Sequence, residues 1–300
     1  MFKTPKNIAA VIIGAGCMLI IISQLSFTNN EKTENYKSIN PQYIAPQLPV
    51  KMSFAGEKTP LERTDIQEMF DRELIYNLYS QGHMLYLIKL SKRFFPVIEP
   101  ILKSEGIPAD FKYLCVAESN LQPLTSRVGA QGFWQFMAST APAYAIEVSK
   151  DVDERNDIVK STYAATKYLK QAYNKLGSWT AAAASFNCGI GGYNAQATFQ
   201  KTNNYYDLQL PTETNKYIFR ILSLKHIMMN AEQLGFIIEN DTQYKTPRLR
   251  KFTVSQSIPN LADWAITNGS TYRLMKYYNP WLISRSLAVK PGKQYEILLP

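Results

Sequence analysis

Between residues 65 and 233, apolar residues recur at the spacing of amphipathic helices, and no strand-like alternation of note appears before residue 250. This periodicity restricts the middle of the chain to a helical globule, because each apolar stripe must be buried against another element. We expect Pro108 and Asp110 to open a helix after a break at Gly106. The periodicity predicts further helices at about 65–81, 84–104, 133–146, 158–176, 179–186 and 212–233.

The last fifty residues have a different pattern. A strand, two helices and a closing strand are indicated, in that order, at 252–254, 258–265, 269–279 and 294–299. This βααβ order predicts a small α+β module at 250–300, joined through a linker at 235–250. The fold class expected for the chain is therefore mainly α, with a helical domain at 63–235 followed by the module.

The N-terminal residues combine an apolar stretch with positive charge. Residues 8–27 contain only three polar side chains, those of Ser23, Gln24 and Ser26, and two lysines precede them. Such a stretch can span a bilayer, and the leading lysines predict a cytoplasmic N terminus with export of the remainder. We expect an uncleaved anchor at 1–28, rather than a cleaved signal peptide or a lipoprotein signal with Cys17 as the lipidated residue. The proline-punctuated residues 29–62 are expected to form a flexible tether.

The net charge of +9 favours anionic partners such as phospholipid head groups or acidic cell-wall polymers. Nucleic acid is not expected, because the lysines are scattered and no basic block with interleaved aromatic residues occurs.

The three cysteines and two histidines include no pair at the usual spacing of zinc ligands, so no metal site is expected. Cys115 and Cys188 can form a disulfide in an oxidising compartment or remain two buried thiols.

A single acidic residue lies on an otherwise apolar helical face. Phe111, Leu114, Cys115 and Glu118 fall on one side of a helix. A carboxylate in such a setting is costly to ionise, so the pKa of Glu118 should be raised. A carboxylic acid that stays protonated near neutral pH is suited to general acid catalysis. The alternative is a glutamate at a helix end that points back to water.

Two clusters of small residues follow Glu118. Three of the four residues at 129–132 are Gly or Ala, which lets the backbone approach a ligand closely. Gln135 and Met137 are expected at the start of the next helix. The second cluster places Asn187 among glycines at a helix end. Each cluster alone is equally typical of an ordinary turn.

Together these segments resemble the lytic transglycosylases of the goose-type-lysozyme-like superfamily, in particular the membrane-bound murein transglycosylase D group. The family pattern is Glu-Ser, then Ser-x-x-Gly-Ala-x-Gly-x-x-Gln-x-Met, then Ala-Tyr-Asn-x-Gly. Residues 153–169 and 210–217 also look like segments of this group. The resemblance covers roughly residues 100–230 and implies a lysozyme-like catalytic domain. The matching positions are Glu118, Ser119, Ser126, Gly129, Ala130, Gly132, Gln135, Met137, Asn187 and Gly189.

The resemblance implies that Glu118 is the catalytic acid/base and that Asn187 positions the muramic acid residue or its N-acetyl group. Phe186 stands where the family has Tyr. If the missing hydroxyl orients the glutamate or the acetamido group, the rate falls by about one to two orders of magnitude, or ~1.4–2.7 kcal/mol. Tyr193 is a nearby candidate to replace it. The substrate-binding residues implied by the resemblance are Ser119, Ser126, Gly129, Ala130, Gln135, Met137, Phe186 and Asn187.

Residues 250–300 resemble a divergent LysM domain, a peptidoglycan-binding unit common in this group. The similarity includes the opening strand and the turn at Pro291 and Gly292. The usual Gly-Asp-Thr-Leu turn is replaced by residues 256–261. The module is therefore either a glycan-binding unit or a structural cap on the helical domain.

The resemblance also implies a mechanism with one carboxylate. Most glycosidases need two, but Asp110, two turns before Glu118, is expected to be a helix cap. In lytic transglycosylases the muramic C6 hydroxyl is the nucleophile. Glu118 would protonate the oxygen between MurNAc and GlcNAc and then accept the C6 proton, which leaves a 1,6-anhydromuramyl end. No metal or organic cofactor is needed.

The expected partners are peptidoglycan glycan strands, with membrane contact through the N-terminal segment. The expected location is the periplasmic face of the cell envelope. Two alternatives remain, namely a lysozyme-type muramidase that hydrolyses the same bond and a non-catalytic peptidoglycan-binding protein.

Overall fold

A computed structural model describes residues 44–300 of the 300-residue chain. The anchor expected at 1–28 and the first part of the expected tether lie outside the described residues. Within residues 44–300, none of the helices combines the length and the apolar character needed to span a bilayer.

The described chain is mainly helical up to residue 229, as the periodicity predicts. The prolines at 96 and 100 lie inside a continuous second helix. The helix at Phe111–Ser119 follows the break at Gly106, as expected. The helix at Ile190–Gln200 was not predicted. The seven helices of this part are α1 (Thr64–Tyr79), α2 (Gln81–Ser104), α3 (Phe111–Ser119), α4 (Ile158–Leu176), α5 (Trp179–Cys188), α6 (Ile190–Gln200) and α7 (Thr212–Met229).

Local signals in the sequence set the bounds of α4. The Asp157 side chain accepts hydrogen bonds from the backbone N–H groups of Val159 and Lys160, at 2.9 and 3.0 Å. This N-cap satisfies amides that have no partner inside the helix. Gly177 ends α4 in the left-handed conformation, with φ of +76°.

Helix α3 forms the centre of the hydrophobic core. Phe111, Leu114, Cys115 and Val116 are completely buried. Helix α7 packs along α3, and it also packs against α1 and α5. Any polar group near the end of α3 is therefore surrounded by apolar side chains on its inner side.

The prediction of a helix at 133–146 is wrong. Residues 129–137 form turns, and a short 3-10 helix follows at Ala141–Tyr144. Gly132 has φ of +86°, and a Cβ at this position would lie 1.8 Å from the carbonyl oxygen of Arg155. Gln135 also has a positive φ, of +49°. A regular helix is incompatible with these backbone angles.

The prediction that a flexible tether extends to residue 62 is also wrong. Strands β1 (Met52–Phe54) and β2 (Glu57–Thr59) form an antiparallel hairpin. The Phe54 side chain is completely buried, and its ring lies 5.0 Å from that of Phe111. These residues therefore belong to the folded domain rather than to a flexible segment.

The hairpin also changes the role expected for Asp110. Its Oδ2 accepts hydrogen bonds from the backbone N–H of Ala55 and from the Lys225 ammonium, each at 2.7 Å. The Asp110 side chain caps no helix. It instead joins the hairpin, α3 and α7.

The C-terminal module has the predicted βααβ order. Strands β3 (Arg250–Val254) and β4 (Tyr295–Leu299) pair antiparallel from Arg250↔Leu299 to Val254↔Tyr295. The module has its own hydrophobic cluster, which includes Leu261 and Ile297. The expected fold class, mainly α with a small α+β module, is confirmed. The module's elements are β3 (Arg250–Val254), α8 (Leu261–Thr267), α9 (Tyr272–Tyr278) and β4 (Tyr295–Leu299).

The packing of the hairpin predicts a large effect of Phe54→Ala on stability. Removing this buried ring leaves a cavity against Phe111, so the free energy of unfolding should fall by about 3–5 kcal/mol. Urea unfolding followed by circular dichroism measures the change. Val50→Ala, at a side chain that is 93% exposed, is the control and should change stability little. Equal stability of both variants would contradict a packed hairpin.

Candidate active site

Glu118 lies in the last turn of α3, where the helix leaves the core. The helix ends at Ser119, and Asn120 follows in the left-handed conformation with φ of +56°. The Glu118 side chain is half-buried, whereas the apolar residues of the same face are completely buried. The carboxyl group is thus neither enclosed in the core nor free in solvent.

A tyrosine from α7 contacts this carboxyl group. The hydroxyl of Tyr217 donates a hydrogen bond to Glu118 Oε1. The Tyr217 side chain is only 2% exposed, so its hydroxyl has few alternative partners. The contact orients the carboxyl group.

Burial raises the pKa of Glu118 to about 7. The Tyr217 hydrogen bond and the positive charge of Arg220 act in the opposite direction, and the negative charge of Glu213 raises the pKa further. Arg220 is itself paired with Glu213 at 2.6 Å. Burial has the largest effect, which is the direction expected from the apolar helical face.

Ser119 differs in position from what the resemblance implied. Its side chain is 2% exposed, and its hydroxyl donates to the carbonyl oxygen of Phe133 at 2.7 Å. The Cys115 thiol donates to the same oxygen at 3.3 Å. Ser119 therefore connects the end of α3 to the segment at 129–137, which we call the site loop, and it does not face the surface.

The other residues implied in the site loop make bonds within or beside it. Ser126 Oγ accepts from the backbone N–H of Ala130 at 2.9 Å. The Gln135 side-chain amide donates to the carbonyl oxygens of Leu124 and Gly132, both at 2.8 Å. These bonds fix a turn in which φ is positive at Gly129, Gly132 and Gln135. Met137 follows directly and is 39% exposed.

Phe186 and Asn187, at the end of α5, contact the site loop and α7. The Phe186 ring packs against the rings of Trp134, Phe136 and Tyr168, with centroids 4.9–6.2 Å apart. Asn187 is exposed, and its Oδ1 accepts a hydrogen bond from the Thr214 hydroxyl at 2.7 Å. This bond holds the Asn187 side chain through its amide oxygen.

Hydrogen bonds and aromatic contacts thus connect most of the implied residues. Glu118 bonds to Tyr217, which lies one turn from Thr214 on α7, and Thr214 bonds to Asn187. The aromatic contacts of Phe186 lead to the site loop.

Tyr193 does not replace the hydroxyl that Phe186 lacks. The Tyr193 side chain is completely buried, and its hydroxyl donates to the carbonyl oxygen of Asn203 at 2.9 Å. Tyr217 is the tyrosine that contacts Glu118. Tyr217 lies in the segment 210–217 that resembles the family, and this position is the one signal in the sequence that could have indicated it.

The two described cysteines are not bonded to each other, and two cavities lie outside the candidate site. Cys115 and Cys188 are free thiols. Cavities of about 230 and 440 Å³ open beside Glu57 and Glu99, and neither is lined by a residue of the candidate site. Within residues 44–300, no group of three or more His, Cys, Asp or Glu side chains is arranged to hold a metal ion.

The contact between Tyr217 and Glu118 predicts the effect of Tyr217→Phe on the glutamate. A hydrogen bond to the ionised carboxylate lowers its pKa, so removal of the hydroxyl should raise the pKa of Glu118 above about 7. NMR titration of the labelled carboxyl carbon measures this change. Tyr193→Phe removes a buried hydroxyl that bonds elsewhere, and it should leave the titration unchanged. A lower pKa in Tyr217→Phe would contradict the assigned contact.

Comparisons with known protein families give two matches. Residues 96–208 match the Transglycosylase SLT domain, and residues 250–300 match the Soluble lytic transglycosylase C-terminal LysM-like domain. The first match contains Glu118, the site loop and Asn187. The second coincides with the βααβ module.

Curated relatives agree with these matches. The chain is 27% identical over 206 residues to Membrane-bound lytic murein transglycosylase D of Escherichia coli K12, which covers 66% of this chain and 44% of the relative. It is 25% identical over 118 residues to a putative tributyltin chloride resistance protein of Alteromonas sp. strain M-1, with 36% of this chain and 57% of the relative covered. The chain thus spans less than half the length of the transglycosylase relative.

The first match includes Glu118, the site loop and Asn187, whereas the resembling segment 210–217 lies beyond its end. The matched segments also agree with the expected lysozyme-like helical fold class. Residues 96–208 are therefore similar to an SLT transglycosylase domain, and residues 250–300 are similar to the LysM-like C-terminal domain of soluble lytic transglycosylases.

Proposed function

We propose that the protein is a lytic transglycosylase that cleaves the β-1,4 bond between MurNAc and GlcNAc in peptidoglycan and forms 1,6-anhydromuramyl ends. One observation carries the proposal. Within a matched SLT domain, the half-buried carboxyl of Glu118 has a pKa of about 7 and accepts a hydrogen bond from Tyr217. The name of the E. coli relative, a lytic murein transglycosylase, supports the substrate class.

In the first step, Glu118 acts as a general acid. Near neutral pH a substantial fraction of its carboxyl groups carries a proton, because burial raises the pKa. The proton moves to the glycosidic oxygen, and the bond between that oxygen and the muramic C1 breaks. The developing positive charge at C1 can be stabilised by the 2-acetamido group of the same sugar.

In the second step, the ionised Glu118 acts as a general base. It accepts the proton of the muramic C6 hydroxyl while the C6 oxygen forms a bond to C1. The anhydro ring closes, no water is consumed, and Glu118 regains its starting proton. The Tyr217 hydroxyl stabilises the carboxylate that exists between the two steps.

The engagement of the neighbouring carboxylates supports a mechanism with one carboxyl group. Asp110 is paired with Lys225 at 2.7 Å, on the side of α3 that faces the hairpin. Glu213 and Glu73 are both paired with Arg220, at 2.6 and 3.6 Å. A second carboxylate acting as base or nucleophile, as in most glycosidases, would have to leave such a pair.

Asn187 is proposed as the residue that orients the muramic acid. Thr214 occupies the oxygen of the Asn187 amide, so the amide nitrogen can donate to the acetamido carbonyl of the sugar. On the opposite side, we propose that Ser126, Gly129, Ala130, Gln135 and Met137 border the glycan. Ser119 is assigned a supporting role, because its side chain is buried.

The cell envelope is the proposed location, because the E. coli relative is named as membrane-bound and as acting on murein. An anchor at 1–28, with the catalytic domain on the periplasmic face, remains our proposal for membrane attachment.

Glu118→Gln tests the proposed chemistry. The amide cannot deliver the proton, so release of anhydromuropeptides from purified sacculi should fall by about 10²–10⁴-fold. Mass spectrometry of the released fragments measures both the amount and the chemistry of the ends. Glu62→Gln, at a 62% exposed side chain, is the matched control and should retain full activity. Reducing MurNAc ends from the wild type would indicate a muramidase, and binding without release would indicate a non-catalytic protein.

The raised pKa of Glu118 predicts the pH dependence of the reaction. The folded protein holds the proton up to about pH 7, whereas an unperturbed glutamate loses it near 4.5. The acid form prevails below pH 7, so kcat/KM should fall as the pH rises through about 7. The profile is measured with soluble glycan fragments at constant ionic strength. A decline centred near pH 4.5 would contradict the raised pKa of Glu118.

A further inference from the structure

The C-terminal module is joined to the helical domain through backbone pairing. Val152 and Leu282 form an antiparallel bridge. On either side of it, the Asp153 N–H donates to the Trp281 carbonyl at 2.8 Å, and the Ile283 N–H donates to the Asp151 carbonyl at 3.0 Å. We call residues 151–153 the docking strand. It belongs to the helical domain in sequence but pairs with the module.

Side chains reinforce this pairing. Val152 is 1% exposed and belongs to the hydrophobic cluster of the module. Asp151 Oδ2 accepts from the Ala288 N–H at 3.1 Å. Nearby, the Glu147 carboxylate pairs with the Lys293 ammonium and accepts from the Tyr295 hydroxyl at 3.0 Å. The module thus completes its core with a residue of the helical domain, and it is not attached by the linker alone.

Asp153, the last residue of the docking strand, forms an ion pair with Arg155, and Arg155 in turn binds the site loop. The Asp153 carboxylate accepts two hydrogen bonds from the Arg155 guanidinium, at 2.9 and 2.7 Å. Arg155 Nη1 in turn donates to the carbonyl oxygens of Gly129 and Phe136, at 3.3 and 3.1 Å. Both side chains of the ion pair are less than 10% exposed.

The site loop depends on such external bonds. Its backbone has positive φ at Gly129, Gly132 and Gln135, and a non-glycine residue in this region is strained. Strained conformations persist only where the surrounding structure determines them. A buried guanidinium that loses its carboxylate partner is strongly destabilised, so displacement of Asp153 would also displace Arg155.

We propose that the C-terminal module is a positioning element of the active site. It fixes the docking strand, the docking strand fixes Asp153, and the pair of Asp153 with Arg155 holds the site loop against the end of α3. Arg155 is thereby a positioning residue, and Val152 is the residue through which the module acts. The activity part of this inference rests on the proposed function, whereas its structural part does not.

Val152→Asp tests the inference, because a carboxylate in the apolar cluster of the module disfavours docking. Calorimetry should show the module unfolding separately from the helical domain. Backbone amides of the site loop should exchange hydrogen faster than in the wild type. The kcat for anhydromuropeptide release should fall by about 10- to 100-fold, as expected when a substrate-positioning segment moves. The pH at which activity declines should stay near 7, since Glu118 and Tyr217 belong to α3 and α7.

Two further variants control for nonspecific destabilisation of the protein. Val152→Ile retains an apolar side chain and should restore most of the activity and the slow exchange. Ile266→Asp makes a similar change at a 68% exposed position of the module and should behave like the wild type. If Val152→Asp does not fold, Val152→Ala is measured in the same way, with smaller effects expected in the same direction.

The inference is overturned if the module undocks while site-loop exchange and kcat keep their wild-type values. It is equally overturned if Ile266→Asp has the same effects as Val152→Asp. Should the wild type release no anhydromuropeptides, the proposed function fails. The hydrogen-exchange comparison still decides whether the module positions the loop.

Discussion

The burial of one carboxyl group at the end of α3 is the constraint on which the rest of the site depends. Three completely buried residues of the same helical face surround its inner side, and this burial raises the pKa of Glu118. The Tyr217 hydroxyl opposes the shift in part and orients the group. The two effects together leave a carboxyl that can both give and accept a proton near neutral pH. Helix packing between α3 and α7 therefore sets the chemistry, because it brings the two side chains together.

The features that the sequence predicts well are those governed by neighbouring residues. The bounds of α4 follow from Asp157 and Gly177, which act within a few residues of each helix end. The helical face that carries Glu118 follows from apolar spacing alone. The βααβ order of the module is similarly local. By contrast, the contact between Glu118 and Tyr217 joins residues 99 positions apart, and spacing alone gives no sign of it.

The errors share a common physical origin. Residues 133–137 of the site loop were predicted to begin a helix at 133–146 from their apolar spacing, but bonds from Arg155 and Ser119 stabilise another backbone conformation. Asp110 was expected to cap a helix, yet it is paired with Lys225 and with the hairpin. In each case a distant charged or polar group decides the local structure. Such groups cannot be assigned partners before the fold is known.

The hairpin has a practical consequence for the choice of protein boundaries. The carboxylate of Glu57 accepts hydrogen bonds from the first amides of α5, at Trp179 and Thr180, and Asn187 lies at the far end of that helix. A fragment trimmed to the matched range 96–208 would lack this capping carboxylate, the β1–β2 strands and the whole of α7 with Tyr217. The smallest unit worth expressing for enzymology therefore starts upstream of Met52, because the boundaries of the matched domain would remove part of the candidate site.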